Sequence, residues 1–246
     1  MDRMLYMAMT GARQTMLAQA VNTNNLANVS TTGFRADLEQ SRSMPMFGPG
    51  LPTRVFAMTE KPGSDFSQGP INTTDNDLDV AVQGKGWLAV QANDGSEAYT
   101  RAGNLQISPS GLLTNQQGLP VIGDGGPITL PPAAKINISE DGSVAIIPMG
   151  DATATPQIVA RIKLVNPENS QLQKGTDGLM RLREGGTADA DASVKLISGA
   201  LEGSNVNVAD VLAKMIDLSR QFEMQVKMMK TAERDADQTM QLVRLA

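Results

Sequence analysis

The chain has 246 residues, and its 21 Lys and Arg against 26 Asp and Glu give a formal charge of -5, with a pI near 4.8. It holds no cluster of basic residues, which excludes nucleic-acid binding by phosphate neutralisation. It also has no His and no Cys, which removes imidazole bases, thiol nucleophiles, disulfides and the usual zinc and haem ligands together.

No membrane-spanning segment is expected, because no stretch approaches the roughly 18 consecutive apolar residues that a bilayer requires. The opening residues lack a basic start followed by an apolar run, so no cleaved signal peptide is expected either. Aromatic residues make up only 3% of the chain while Met reaches 15 residues, several near each end. Met adapts to irregular surroundings, which suits either interfaces that repack or gaps in a core.

The first element is a helix over residues 4–27, with Leu5, Ala8, Met9, Ala12, Met16 and Ala20 sharing one face at helical spacing. Gly11 weakens it by about 1 kcal/mol relative to Ala, but lets a neighbouring backbone approach closely. The stretch NNLANVSTTGF, residues 24–34, then reads as a shaped terminator. Asn side chains there satisfy backbone groups locally, Gly33 supplies a positive φ where one is needed, and Phe34 anchors the exit. From Ser41 to Asn72 five Pro and four Gly alternate, which predicts extended connecting chain with little scope for helix.

From Leu78 to about Ile197 the pattern is one of short strands: LDVAVQ, WLAVQA, the AKINIS/SVAII pair, IVARIKLV and ASVKLIS. Turn pairs Asp94-Gly95, Ser110-Gly111, Asp141-Gly142 and Asp177-Gly178 punctuate them. With no helical pattern between the strands, an all-β antiparallel domain is expected, a sandwich or irregular barrel.

The chain ends in a long amphipathic helix, Asn207 to Ala246. Val208, Val211, Met215, Leu218, Phe222, Met229, Ala232, Ala236 and Val243 form a heptad seam, interrupted by Gln225 and Thr239. Asn207 is placed to cap it, with Asp210 three residues on and Val206 placed to staple onto Val211. Such a helix runs about 60 Å, and each seam residue left in water forfeits roughly 1.5 to 3 kcal/mol. The first helix is the partner within the chain, but it is too short to cover the seam, so the remainder points to other subunits.

Other local patterns carry no chemistry. Gly84-Lys85-Gly86 has the outline of a dinucleotide fingerprint, but the next segment alternates as a strand, so a hairpin turn is expected. Asp75, Asp77 and Asp79 are spaced like the first ligands of a calcium loop. Val80 stands where that loop needs Gly, and Gly86 where it needs a bidentate Glu, so a solvated turn is expected. Asp189 and Asp191 lie in a small polar stretch that reads as surface loop. No catalytic, cofactor-binding or metal residue is assigned, and no enzyme activity.

Three stretches are similar to those of one family. NNLANVSTTGF, preceded by MTGA at residues 9–12, resembles the N-terminal signature of the bacterial flagellar rod and hook proteins. LEGSNVNVADVLAKMIDLSRQFEMQVKMMKT, residues 201–231, resembles their shared C-terminal motif, and residues 78–123 their β-domain. These blocks cover most of the chain and stand in family order. The opening MDRMLYMAMTGA and the modest length look most like the proximal-rod members; Asn207 stands where the shared motif has Asp.

The resemblance implies an α+β fold: N- and C-terminal long helices pairing as a coiled coil, an inserted all-β central domain and an extended connecting region. The expected division is 1–35 with 201–246, then 36–75 and 76–200. The implied role is a structural axial subunit without a cofactor, polymerising through its terminal helices into a rigid tube that transmits motor torque and encloses the export channel. It would pass through the flagellar type III export apparatus and cross the periplasm within the basal body. Its partners would be copies of itself, other rod proteins, neighbouring hook-basal-body components and that apparatus, with no nucleic acid. The seam residues of both helices would then be assembly interfaces, and Asn24, Asn25, Leu26, Ala27, Asn28, Thr32, Gly33 and Phe34 the family motif. Two alternatives stay open: a distal-rod member, and a secreted coiled-coil adaptor whose β-domain recognises a ligand.

Overall fold

The computed structural model describes residues 3–45, 55–148 and 155–245. The chain divides into two compact units, and the chain passes from one to the other four times.

The first unit contains α1, Arg3–Ala27, the hairpin of β1, Asp37–Pro45, with β2, Val55–Ser64, and α2, Val208–Leu245. α1 and α2 lie side by side and antiparallel: Asn22 Nδ2 donates to the carbonyl of Val211 at 2.8 Å, and Gly11 stands against Gln225 further along both helices. α2 begins as expected, with Asn207 Oδ1 accepting from the amide of Ala209 at 3.0 Å.

The Pro- and Gly-rich stretch expected as connecting chain is extended, but it pairs with itself. β1 and β2 are antiparallel from Asp37 opposite Ser64 to Pro45 opposite Val55, and both pack on α1. Pro62 falls in the bulge opposite Glu39, where the regular ladder is interrupted. Lys214 of α2 reaches Glu39 of β1 at 2.7 Å.

The second unit holds residues 29–36 and 66–205. Its strands are β3 Ile71–Thr73, β4 Val80–Gln83, β5 Trp87–Gln91, β6 Glu97–Thr100, β7 Leu105–Ile107, β8 Leu113–Asn115, β9 Ile122–Gly123, β10 Gly126–Pro127, β11 Ala133–Ile138, β12 Ser143–Pro148, β13 Gln157–Arg161, β14 Leu164–Val165, β15 Leu172–Lys174, β16 Met180–Leu182, β17 Lys195–Ser198 and β18 Ala200–Glu202. All pair antiparallel, in a five-stranded sheet ordered β14-β5-β6-β16-β15, a three-stranded sheet β11-β12-β13 and four two-stranded ladders.

β5 is buried on both faces, which is why WLAVQ reads as an apolar run. Leu88 and Val90 enter the main core with Val80, Leu113 and Val144, while Trp87 and Ala89 enter a second cluster with Tyr99, Leu172 and Met180. The four Gly turn pairs each close a hairpin. In all four the Gly amide bonds back to the carbonyl three residues earlier, at 2.8–3.2 Å, and the Gly takes φ between 81° and 85°, open to Gly at little cost.

Gly84 to Gly86 is a turn but not a hairpin. The strands it joins belong to different ladders, β4 with β17 and β5 with β6 and β14, so the chain changes sheet there. Gly86 is needed because a Cβ would lie 2.6 Å from the Val194 side chain and φ is +129°. Residues 29–35 and 201–205 cluster with the β unit.

Candidate functional site

Two features are candidates: the outward faces of the helices, and a buried polar cluster where the motif stretches meet.

On α2, Leu218 and Ala232 are buried and Val211, Met215, Phe222, Gln225, Met229 and Ala236 half-buried, whereas most residues between them are exposed. Val208 is exposed, and the side chain of Val243 lies outside the described residues. On α1 the six residues read as one face divide. Ala8 and Ala12 are buried with Thr15, Ala18 and Asn22, while Leu5, Met9, Met16 and Ala20 point outward, Met16 being 58% exposed. At about 100° per residue these four fall within roughly 60° of one another, beside the buried face and not on it. Small residues fill the inner face and large ones the outer, the reverse of a helix that ends its packing within one chain. α2 also carries large apolar residues outside its seam, with Leu212, Ile216, Met224 and Met228 all exposed.

The terminator works largely through Asn side chains. Asn24 is exposed, and its carbonyl accepts from the amide and the side chain of Asn28 at 3.2 and 2.9 Å. Asn25 is buried and bonds both backbone groups of Asp37 at 2.9 Å. Leu26 and Asn28 are half-buried and Ala27 exposed. In the β unit Thr32 is half-buried, Gly33 has φ +66°, and Phe34 carries Lys174 Nζ 4.0 Å over its ring.

Just beyond the motif lies a cluster that the sequence reading missed. Glu202 is fully buried, with Arg35 Nη2 at 2.6 Å and Arg101 Nη1 at 2.9 Å. Its Oε1 also accepts from the Gly69 amide at 3.0 Å, and its carbonyl from the Gly33 amide at 2.8 Å. Both guanidiniums flank Trp87, at 5.9 and 5.3 Å from the ring centre. Burial pulls the Arg101 guanidinium below its ordinary range, Glu202 opposes that, and the like charge of Arg35 adds to it. The signal was present as charges in TTGFR and LEGSN, positions whose burial no periodicity could reveal.

Asp191 accepts from the side chain and amide of Ser193, which holds its carboxyl below the usual range; it and exposed Asp189 border a shallow depression. Among the described residues no group of acidic side chains is arranged to hold a metal ion, and no helix is long and apolar enough to cross a membrane.

Helices with filled inner faces and apolar outer faces describe a building block, and comparison with known proteins says which. Three family models match: flagella basal body rod protein over residues 5–35, flagellar hook protein FlgE/F/G D1 domain over 81–146, and flagellar basal body rod FlgEFG protein C-terminal over 197–242. The flagellar basal-body rod protein FlgF of Escherichia coli (strain K12) is 44% identical over 252 aligned residues, covering all of both chains. FlgF of Caulobacter vibrioides is 34% identical over 95% of each chain, and the rod protein FlgG of Bacillus subtilis 32% identical over 95% of this chain and 96% of its own. The chain belongs to the flagellar basal-body rod protein family and is of the proximal-rod type. It is a structural subunit that assembles with other rod components, not an enzyme.

Proposed function

We propose that the chain polymerises through its terminal helices into a tubular shaft that transmits motor torque and encloses the export channel. α1 and α2 pair as a coiled coil, a reading supported by the alternating three- and four-residue steps of the buried and half-buried α2 positions. The β unit closes as an irregular barrel around its main core, with single bridges such as Val90 to Val121 and Gly123 to Ile162 linking its ladders. Subunits reach the rod through the flagellar type III export apparatus, without cleavage of a signal peptide, and the rod crosses the periplasm. Neighbouring copies, other rod proteins and adjoining hook-basal-body components supply the faces that the helices lack.

The observation that carries this reading is the outward stripe of Leu5, Met9, Met16 and Ala20 on a helix whose inner face is already filled. Heterologous packing of such stripes extends a polymer instead of closing it. The test is a Met9→Glu, Met16→Glu double variant in cells lacking the natural copy. The purified variant should keep wild-type helicity and unfolding temperature, yet the protein should be missing from isolated basal bodies and the cells non-motile. Normal incorporation would remove the stripe from the assembly interface.

A further inference from the structure

We infer that Glu202 and Asn205 form a clasp that fixes the register of the segments by which the chain enters and leaves the β unit, and that this clasp bears the load that reaches the β unit along the chain. The inference rests on the reading of the chain as a torque-bearing rod subunit.

The topology is the first argument. The chain leaves or enters the β unit at Val29, Ala36, Phe66 and Asn205. Each of these lies no more than four residues from a group hydrogen-bonded to or ion-paired with Glu202, or from Glu202 itself: Gly33, Arg35 through its ion pair, Gly69 and Glu202 in turn. Asn205 ties the same three segments a second time. Its Oδ1 accepts from the Ala36 amide at 2.8 Å, its Nδ2 donates to the Ser67 carbonyl at 3.1 Å, and its own amide reaches the Phe34 carbonyl at 3.4 Å. Force carried by the chain into or out of the β unit is therefore shared between its entry segments through these bonds.

The chemistry is the second argument. Two guanidiniums share one carboxylate with almost no exposure, which leaves a buried excess of one positive charge. Buried ion pairs are poor sources of stability, because desolvation offsets most of the attraction, and apolar replacements of similar volume are often as stable. What such a cluster supplies is direction. Gly69 and Gly203 pack so closely that a Cβ on Gly69 would lie 2.2 Å from the Gly203 carbonyl, so a slip of one segment against another is blocked sterically as well as electrostatically. Shear between the entry segments has to break several directional bonds at once. An apolar plug would resist it only by contact.

Three full-length variants, expressed in cells lacking the natural copy, test this. Glu202→Gln leaves two guanidiniums without their counter-charge. The triple variant Arg35→Met, Arg101→Met, Glu202→Leu removes the charges altogether. Leu113→Ala, in the main core away from the clasp, is the stability control. In purified protein, exchange of the Gly33, Gly69 and Ala36 amides should speed up at least tenfold in both clasp variants relative to amides of β5 and β12. The triple variant should regain the wild-type unfolding temperature. In cells, the triple variant should be found in basal bodies at wild-type level, yet its motors should stall as medium viscosity rises, whereas those with Leu113→Ala should slow in parallel with wild type.

A triple variant with wild-type torque at every load would overturn the inference, as would unchanged exchange at the three amides. Should Glu202→Gln fail to fold, the triple variant alone decides. If the wild-type chain itself is absent from basal bodies, the rod reading fails, which is a separate outcome from a rod that assembles and bears load without the clasp.

Discussion

Asn25 in the last turn of α1 holds both the amide and the carbonyl of Asp37 at 2.9 Å, so one side chain serves as a strand partner for the first residue of β1. Residues 29–36 between them belong to the other unit, and the chain then returns to the unit of the helix it left. Asn is the residue for this because its amide offers an acceptor and donors on one short stem. Asn25→Ala should destabilise the helical unit by about 2 to 4 kcal/mol, the cost of leaving two backbone groups without partners. Asn24→Ala, at an exposed neighbour, should change stability by less than about 0.5 kcal/mol. Urea unfolding followed by helix signal distinguishes the two; equal effects would show that Asn25 acts only as a helix terminator.

Gly33 combines a left-handed backbone with a closed surrounding. At φ +66° a Cβ would meet the Arg101 carbonyl carbon at 2.3 Å and the Ala102 amide nitrogen at 2.4 Å, both of them backbone atoms that cannot swing away. Gly33→Ala should cost more than about 3 kcal/mol. Gly95→Ala, at φ +81° with open space around it, should cost only about 1 kcal/mol. The comparison separates backbone strain from clash, and similar urea midpoints for both variants would sink the packing argument.

Much of this architecture could be read from the residues. The seam of α2 was legible because Val211, Met215, Leu218, Phe222, Met229, Ala232 and Ala236 repeat at heptad spacing, and the hairpins because Asp-Gly and Ser-Gly pairs specify their turns. The division of the α1 face was not. Ala8, Met9, Ala12 and Met16 are all apolar, and spacing alone does not say that the small ones face inward and the large ones outward. The pairing of β1 with β2 was hidden because Pro45 ends one strand and Pro62 falls at a bulge, where they read as breakers. The Glu202 cluster was invisible for another reason. Arg35 and Arg101 are charged residues outside the strands and Glu202 ends one, and only the meeting of segments more than 60 residues apart buries them.

Tyr99 makes the β unit sensitive to alkali. Its hydroxyl donates to Glu97 at 3.0 Å and accepts from the Ala188 amide at 2.7 Å, and Glu97 is paired with Lys163 at 2.9 Å. Burial raises the phenol, and the Glu97 carboxylate raises it further against the pull of the Ala188 amide, to about 12. The folded value lies above the unfolded value of about 10, so the folded state holds the proton more tightly. That contribution is complete below pH 10 and disappears between pH 10 and 12, a loss of up to about 2 kcal/mol. Tyr99→Phe should remove this part of the alkaline slope, while costing about 1 kcal/mol at neutral pH by stranding the Ala188 amide. Urea midpoints of both proteins from pH 8 to 12 should converge; parallel curves would assign the alkaline loss to other groups.

Gln225 is one of two polar interruptions of the seam, and its Oε1 is buried without a hydrogen-bond partner. It fits there because α1 presents Gly11: a Cβ on Gly11 would lie 2.9 Å from Gln225 Cδ and Nε2. The space suits a long unbranched side chain, but the amide carries an unmet acceptor into it. Met has similar length and flexibility and brings no such acceptor. Gln225→Met should therefore stabilise the α1–α2 pair by about 1 kcal/mol, whereas Gly11→Leu, which pushes a branched side chain into the same space, should destabilise it by about 2 kcal/mol. The two sites touch, so the double variant should fall outside the sum of the single effects, and the size of that departure measures how closely the helices approach. Thermal unfolding followed at 222 nm reads all four proteins. A destabilised Gln225→Met variant would mean that the amide carries a bond essential to the pairing, and that the polar interruption of the seam specifies register in the way a buried Asn does in other helix pairs.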